Sequence, residues 1–339
     1  MPRKQTKKKT RYYIAALVGV FILLIAAATY FTSASGAFSG NSSGNAAVST
    51  APALPNPFDS VSIAANAAYV LDLSTGKILY QKNAQTALPL ASITKLMAAL
   101  VVLQHENQAG DAQTEVAIDQ DSLAQAGDDG DIGLLLGERW NVNDLLSYSL
   151  ISSSNVGTTA LARGIFAGET PDASEANFIK AMNEGAAQLG LDSMSYYNPN
   201  GLDISTSQAG AYGSAQDVSK LMANLISSQR TAIGATAVKS KPFISTSGIR
   251  HTAVNTDEIL GELPGLIASK TGFTALAGGN LVVAFDSGLN HPIVITVLGS
   301  TEEGRFTDVL ALASTTMAYL AEQPGTSITQ YSSTTPENK

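Results

Sequence analysis

Pro89-Leu90-Ala91-Ser92-Ile93-Thr94-Lys95-Leu96-Met97 sets a serine and a lysine three positions apart, at the head of an apolar run that continues to Leu103. On a helix, residues i and i+3 share a face about one turn apart. That spacing brings the Lys95 amine to the Ser92 hydroxyl. A free serine is a weak nucleophile, and a close amine of lowered pKa can take its proton. The run from Leu96 to Leu103 is apolar all round, which marks a helix buried in a core. Burial desolvates Lys95 and favours its neutral, basic form. The stretch therefore reads as a reactive pair at the start of a central buried helix. A Ser-x-x-Lys pattern alone also arises by chance in chains of this size, so its weight depends on the rest of the chain.

The chain has 339 residues, 45% hydrophobic and 14% charged, enough for one large or two modest domains with a sizeable core. It has no cysteine, which excludes disulfides, thiolate catalysis and Cys-based zinc sites. His105, His251 and His291 are far apart, without metal-ligand spacing. Six of the 20 basic residues precede the first acid, Asp59, leaving 14 basic residues against 28 acidic ones, a net charge of −14. A body this acidic is a poor partner for nucleic acid.

Residues 1–13 form a basic tip, followed by Ile14–Phe31, IAALVGVFILLIAAATYF, 18 residues without a charge. Such a run can span a bilayer as a helix. The preceding positive charges place the N-terminus in the cytoplasm and the body outside. A cleaved signal peptide is the competing reading, since the small residues Thr32-Ser33-Ala34-Ser35-Gly36-Ala37 follow; the length of the apolar run favours an uncleaved anchor. Residues 32–57, rich in Ser, Gly, Ala, Asn and Pro, read as a flexible linker. The body spans 58–322, and the Ser/Thr/Pro-rich tail 323–339 reads as disordered.

Within the body, Ala67–Asp72 and Lys77–Gln81 read as a hairpin around Leu73-Ser74-Thr75-Gly76. The middle, about 105–230, is mostly helical in pattern. Asn141 or Asn143 is placed to cap a helix running to Ile151, and Ser152-Ser153-Ser154-Asn155 interrupts it before a second helix from Val156 to Arg163. Further helices are expected over Ala176–Leu189, ending at Gly190, and over Asp217–Ile226. The acids Asp119, Asp121, Asp128, Asp129 and Asp131 read as a solvated loop, with a calcium site as the weaker alternative because no complete ligand pattern is present. Leu266–Lys270, Asn280–Phe285 and Pro292–Leu298 read as an antiparallel meander, and Arg305–Leu320 as a last helix.

Three short motifs occur in order: Ser92-x-x-Lys95, Ser153-Ser154-Asn155 and Lys270-Thr271-Gly272. This order resembles the penicillin-recognising serine enzymes, and most of all the D-alanyl-D-alanine carboxypeptidases, the low-molecular-mass penicillin-binding proteins. Similar wording extends over Asn198-Pro199-Asn200-Gly201-Leu202-Asp203, Lys270–Thr274, Val297-Leu298-Gly299-Ser300 and Arg305-Phe306, about residues 60–320. The resemblance implies an α/β (α+β) transpeptidase-like unit: an antiparallel five-stranded sheet flanked by helices, plus a helical lobe. It implies a peptidoglycan stem peptide ending in D-Ala-D-Ala as substrate, β-lactams as covalent inhibitors, and no metal or cofactor. Ser92 is then the nucleophile, Lys95 its general base, and Ser153 a proton relay. Asn155 holds Lys95 and the substrate amide. Lys270 and Thr271 meet the substrate carboxylate, Gly272 admits a substrate strand, and the Ser92 and Phe273 N–H groups form the oxyanion hole.

Ser154 and Ser269 depart from the family pattern, where glycine or another small residue is usual. A class A β-lactamase shares all three motifs but also needs a glutamate to activate the deacylating water. Glu169, Glu175 and Glu184 are the candidates, and none sits in Glu-x-x-Leu-Asn wording. A D,D-endopeptidase and a non-catalytic wall-binding protein of the same fold remain as rivals.

Overall fold

A computed structural model of the chain describes residues 56–109, 114–127, 131, 133–166, 168–288 and 290–322. The basic tip, the apolar segment 14–31, almost all of the linker, the tail 323–339, and Asp128 and Asp129 lie outside the described residues. Among the described residues no helix is long and apolar enough to cross a membrane.

Five antiparallel strands form the central sheet: β1 (Ala67–Asp72), β2 (Ile78–Lys82), β3 (Leu266–Thr274), β4 (Gly278–Asp286) and β5 (Pro292–Ser300), in the order β3-β4-β5-β1-β2. The N-terminal hairpin thus joins the C-terminal meander through Val70 opposite Ile295. Gly76 turns the β1–β2 connection at φ +71°. The three C-terminal strands are largely apolar and buried because both of their faces are covered. In β4, Leu281, Val283 and Phe285 feed the core on one face, while Val282 and Ala284 feed the other.

The helices are α1 (Lys95–Ala109), α2 (Val142–Ser152), α3 (Asn155–Gly164), α4 (Pro171–Gln188), α5 (Ala215–Ser228) and α6 (Gly304–Ala321). From Leu96 to Leu103 every residue of α1 is buried, because α2, α3, α4 and α5 all pack on it. Helix α5 packs on β1 and β5, and α6 packs on β4 and β5. The Asp308 carboxylate of α6 accepts the Ala64 and Ala65 N–H groups at 2.9 and 2.8 Å and the Ser300 hydroxyl at 2.7 Å. This fastens both ends of the body to the same sheet.

The boundaries differ from expectation where a cap decides them. Asn141, not Asn143, caps α2, accepting from the Asn143 and Asp144 N–H groups. Helix α4 starts at Pro171 rather than Ala176, because Thr170 caps it and proline fits the first helical position. The middle also holds a ribbon the helical pattern hid, in which Glu115–Ala117 pairs with Arg139–Asn141, and beyond it Ser240–Ile244 pairs with Arg250–Val254, where the sequence reading assigned no element. The second ribbon packs Phe243 and His251 against Trp140 and Tyr148.

One buried side chain ties the sheet to the turn that carries Ser92. The Asn280 amide of β4 donates to the Pro89 and Leu90 carbonyls at 3.0 and 3.1 Å and accepts the Gly299 N–H at 2.8 Å. Replacing it leaves buried backbone groups unpaired, each costing about 1–3 kcal/mol. Asn280→Ala is expected to lower unfolding free energy by ~2–4 kcal/mol, read from the urea midpoint; a loss below ~0.5 kcal/mol would refute this account.

Candidate active site

Ser92 lies in a single 3₁₀ turn, Ala91–Thr94, that runs into α1 at Lys95. Ala91 enters it at φ +49°, a conformation uncommon for a residue with a Cβ. The Lys95 amine is 1% exposed. It lies 2.7 Å from Ser92 Oγ, 2.8 Å from Asn155 Oδ1 and 2.9 Å from the Asn200 carbonyl. Burial pushes its pKa down to about 7, against the opposing charge of Asp131. A neutral amine has two hydrogens and one lone pair. The two carbonyl-type oxygens suit the hydrogens, and the lone pair then faces the serine hydroxyl.

Ser153 and Asn155 flank the break between α2 and α3. Ser153 closes α2 in the left-handed region at φ +59°, and Ser154 caps α3 by accepting the Gly157 N–H at 2.8 Å. Asn155 is thereby the first residue of α3 and faces Lys95. On β3, the Lys270 amine is 2% exposed and donates to Ser153 Oγ at 2.8 Å and to the Thr271 carbonyl at 3.0 Å. Burial, then the charges of Lys95 and Arg305, hold it well below the usual lysine range.

These elements border a cleft of about 510 Å³ between sheet and helical lobe, lined by Ser92, Ser153, Asn155, Thr271, Gly272 and Phe273 among others. Of the residues singled out in the sequence, six line it directly and the two lysines stand behind Ser92 and Ser153. A Cβ on Gly272 would lie 2.9 Å from the Leu90 carbonyl and 3.2 Å from the Ser92 and Ile93 nitrogens. The close approach that requires this glycine is thus first of all that of the Ser92 turn to β3. Of the departures from the family pattern, Ser154 is wholly buried and Ser269 donates its N–H to Thr236 Oγ1 at 3.0 Å.

The structure adds residues that sequence reasoning did not place here. Arg305, at the start of α6, lines the cleft and donates Nη1 to the Gly272 carbonyl at 3.1 Å, while its buried Nε has no partner among the described residues. Thr256 lines the same wall, its hydroxyl bonded to that of Thr271. Asn200 presents its carbonyl to Lys95 from the Asn198–Gly201 turn; that wording was visible, its target was not.

The acidic loop was read as solvated, and for Asp131 and in part for Asp119 the structure corrects this, while Asp121 is exposed. Asp131 is buried and hydrogen-bonded to Ser154. Asp119 and Asp121, with Asp172 and Glu175, surround the half-buried Arg163 guanidinium at 2.6–2.9 Å. No group of acids and histidines able to hold a metal occurs among the described residues. The three glutamates weighed for deacylation stand elsewhere: Glu169 accepts from Asn177, Glu175 from Arg163, and Glu184 pairs with Lys180.

A serine hydroxyl against a desolvated amine, opening on a cleft between an antiparallel sheet and a helical lobe, defines a serine acyl-transfer enzyme. Residues 50–302 match the peptidase S11 family, D-alanyl-D-alanine carboxypeptidase, and the chain belongs to this family. The D-alanyl-D-alanine carboxypeptidase DacF of Bacillus subtilis is 29% identical over 241 residues, 71% of this chain and 59% of that protein. A D-alanyl-D-alanine endopeptidase of Pseudomonas aeruginosa is 32% identical over 228 residues, 65% of this chain and 67% of that protein. Penicillin-binding protein D2 of Listeria monocytogenes, solved in its ampicillin-bound form, superposes with a TM-score of 0.63 at 26% identity, covering 75% of this chain and 98% of that one.

Gly201 is the tightest point of the site. It sits at φ +86°, and a Cβ there would lie 2.0 Å from the Ala91 carbonyl. Gly201→Ala must move the Ser92 turn, at a cost of at least ~2 kcal/mol. The expected result is a lowered unfolding temperature together with loss of acylation; an unchanged melting curve would contradict it.

Proposed function

We propose that the chain is a serine-type D-Ala-D-Ala carboxypeptidase acting on peptidoglycan stem peptides. The observation that carries this reading is the 2.7 Å contact between Ser92 Oγ and a Lys95 amine brought to about 7. Near neutral pH a large fraction of Lys95 is then free to take the Ser92 proton as Oγ attacks the penultimate carbonyl. The oxyanion forms against the Ser92 and Phe273 N–H groups. Ser153 gives its proton to the departing D-alanine nitrogen and regains one from Lys270, a stronger acid than an exposed lysine because it is desolvated. Asn155 keeps Lys95 in place and offers its amide to the peptide.

Arg305 and Thr271 take the terminal carboxylate, because Arg305 brings a cation to the cleft lining while Lys270 is committed to Ser153. Water then attacks the ester on the side that D-alanine vacated. A β-lactam leaves its amine tethered to the acyl group, which blocks that side, so it acts as a slow-leaving covalent inhibitor. The ampicillin-bound Listeria neighbour supports this part of the reading. The Pseudomonas relative supports the endopeptidase alternative, in which the released amine belongs to a cross-linked peptide.

The test follows D-alanine release and fluorescent-penicillin labelling with one preparation. Both are expected to depend on Ser92, to vanish in Ser92→Ala, and to fall along an acid limb near pH 7 as Lys95 becomes protonated. Lys95→Arg, which stays charged, is expected to lose acylation as fully as Lys95→Ala. Labelling that survives Ser92→Ala, or rapid penicillin turnover without D-alanine release, would overturn the assignment.

We also propose that Ile14–Phe31 anchors the body to the outer face of the membrane, on the strength of its 18 uncharged residues behind a basic tip. The protein is expected to stay with membranes through a high-salt wash and to keep its N-terminal residues. A mature N-terminus near Ala37 would refute the anchor.

A further inference from the structure

The loop ahead of the Arg139–Asn141 strand carries a carboxylate that the acyl-transfer steps do not use. Asp131 is 8% exposed. Its Oδ1 accepts the Ser154 hydroxyl and the Val156 N–H at 3.1 Å, and its Oδ2 accepts the Gly127 and Asn155 N–H groups at 3.1 and 3.3 Å. All four partners are donors, the set that suits an acceptor-only carboxylate. Two of them are backbone amides in the first turn of α3, the turn that presents Asn155 Oδ1 to Lys95 at 2.8 Å. A third, Gly127, lines the cleft so tightly that a Cβ there would stand 3.0 Å from Asn155 Nδ2. The carboxylate therefore clamps one cleft wall to the residue that holds the amine. Ser154, unusual at the centre of its motif, supplies the side-chain donor that completes the clamp. A glycine there would leave one lone pair of a buried carboxylate without that partner.

We propose that Asp131, acting through Ser154 and the first turn of α3, is a positioning residue for Lys95: it fixes the Asn155 side chain and turns a negative charge toward the buried amine. The inference rests on the reading of Lys95 as general base. Asp131 favours the protonated amine and so offsets part of the effect of burial on Lys95. The other charged and titratable groups of this neighbourhood are Lys270 on β3, whose amine feels Lys95 and Arg305, and Tyr148 on α2, whose phenol is raised by burial and then by Asp131, with Glu138 adding to it. Lys95 and Arg305 oppose a charge on Lys270, and Asp131 supports one on Lys95. Neutralising Asp131 therefore leaves Lys95 easier to deprotonate.

The experiment measures the rate of Ser92 acylation by penicillin against pH in the full chain, for wild type, Asp131→Asn, Asp131→Ser and Ser154→Ala. Rates are normalised to the labelled fraction, so partial misfolding does not enter. Both Asp131 variants are expected to move the acid limb about 1 unit to lower pH. They are also expected to lower the plateau rate ~10–100-fold, as loss of reactant positioning does. Ser154→Ala keeps the charge, so it is expected to lower the plateau while the limb stays in place. Asp131 variants whose limb coincides with that of wild type would overturn the positioning role of Asp131 and leave the base assignment standing. A wild-type profile with no acid limb would overturn the base assignment, and this inference with it.

Discussion

An amine removed from water is the constraint on which the rest of the structure depends. Lys95 can serve as a base near neutral pH only because almost none of it meets solvent, and an ammonium at such a depth is tolerable only with its donors satisfied. Three oxygens from three separate segments satisfy it: Ser92 beside it, Asn155 on α3 and the Asn200 carbonyl on a loop. Each of those segments must be held within a few tenths of an ångström. The buried helix α1, the capped break between α2 and α3, and the tight turn at Gly201 are the means. Polar groups here are stiff because they are dry; a bridging water in place of any one partner would loosen the amine and raise its proton affinity.

The second lysine is set by the same physics with a different outcome. Lys270 is as deeply buried as Lys95 and feels its charge, so a charge on one amine opposes a charge on the other with little water to screen them. Asp131 and Asp257 stand on the opposing side: Asp131 favours a charge on Lys95, and Asp257 favours one on Lys270. This arrangement lets a proton leave one amine without the other having to gain one at the same moment. Arg305, which remains charged under any condition of interest, keeps a fixed cation in the cleft wall whichever lysine is neutral.

Much of this was legible in the sequence, for identifiable reasons. The strands of the meander showed as unbroken apolar runs because both of their faces are buried. Ser92, Lys95, Ser153 and Asn155 were legible because each pair is close along the chain and its local geometry follows from helix spacing or a helix break. Asp131, Asn200 and Arg305 were not, since Ser154, Lys95 and Gly272, which they respectively hold, lie 23 or more residues away and only the fold supplies the contact. Lys270 and Thr271 were given one joint task, yet successive strand residues point to opposite sides; the hydroxyl reached the cleft and the amine went behind it. The ribbon from Ser240 to Val254 was missed because its inward residues, Phe243, His251 and Ala253, are few and owe their burial to Trp140 and Tyr148, about a hundred positions earlier.

The sheet order has a consequence for how the enzyme comes into being. Strand β1, made first, hydrogen-bonds to β5, made almost last, and the Ser92 turn is pinned by Asn280 from 190 residues downstream. A chain emerging from the ribosome or from a translocation channel therefore carries its nucleophile long before it carries the strand and the arginine that complete the cleft. Contacts of such sequence separation form late and slowly. A nascent or truncated chain holds Ser92 without Phe273 and Arg305, which line the cleft beside it, so the cleft arrives only with the finished domain.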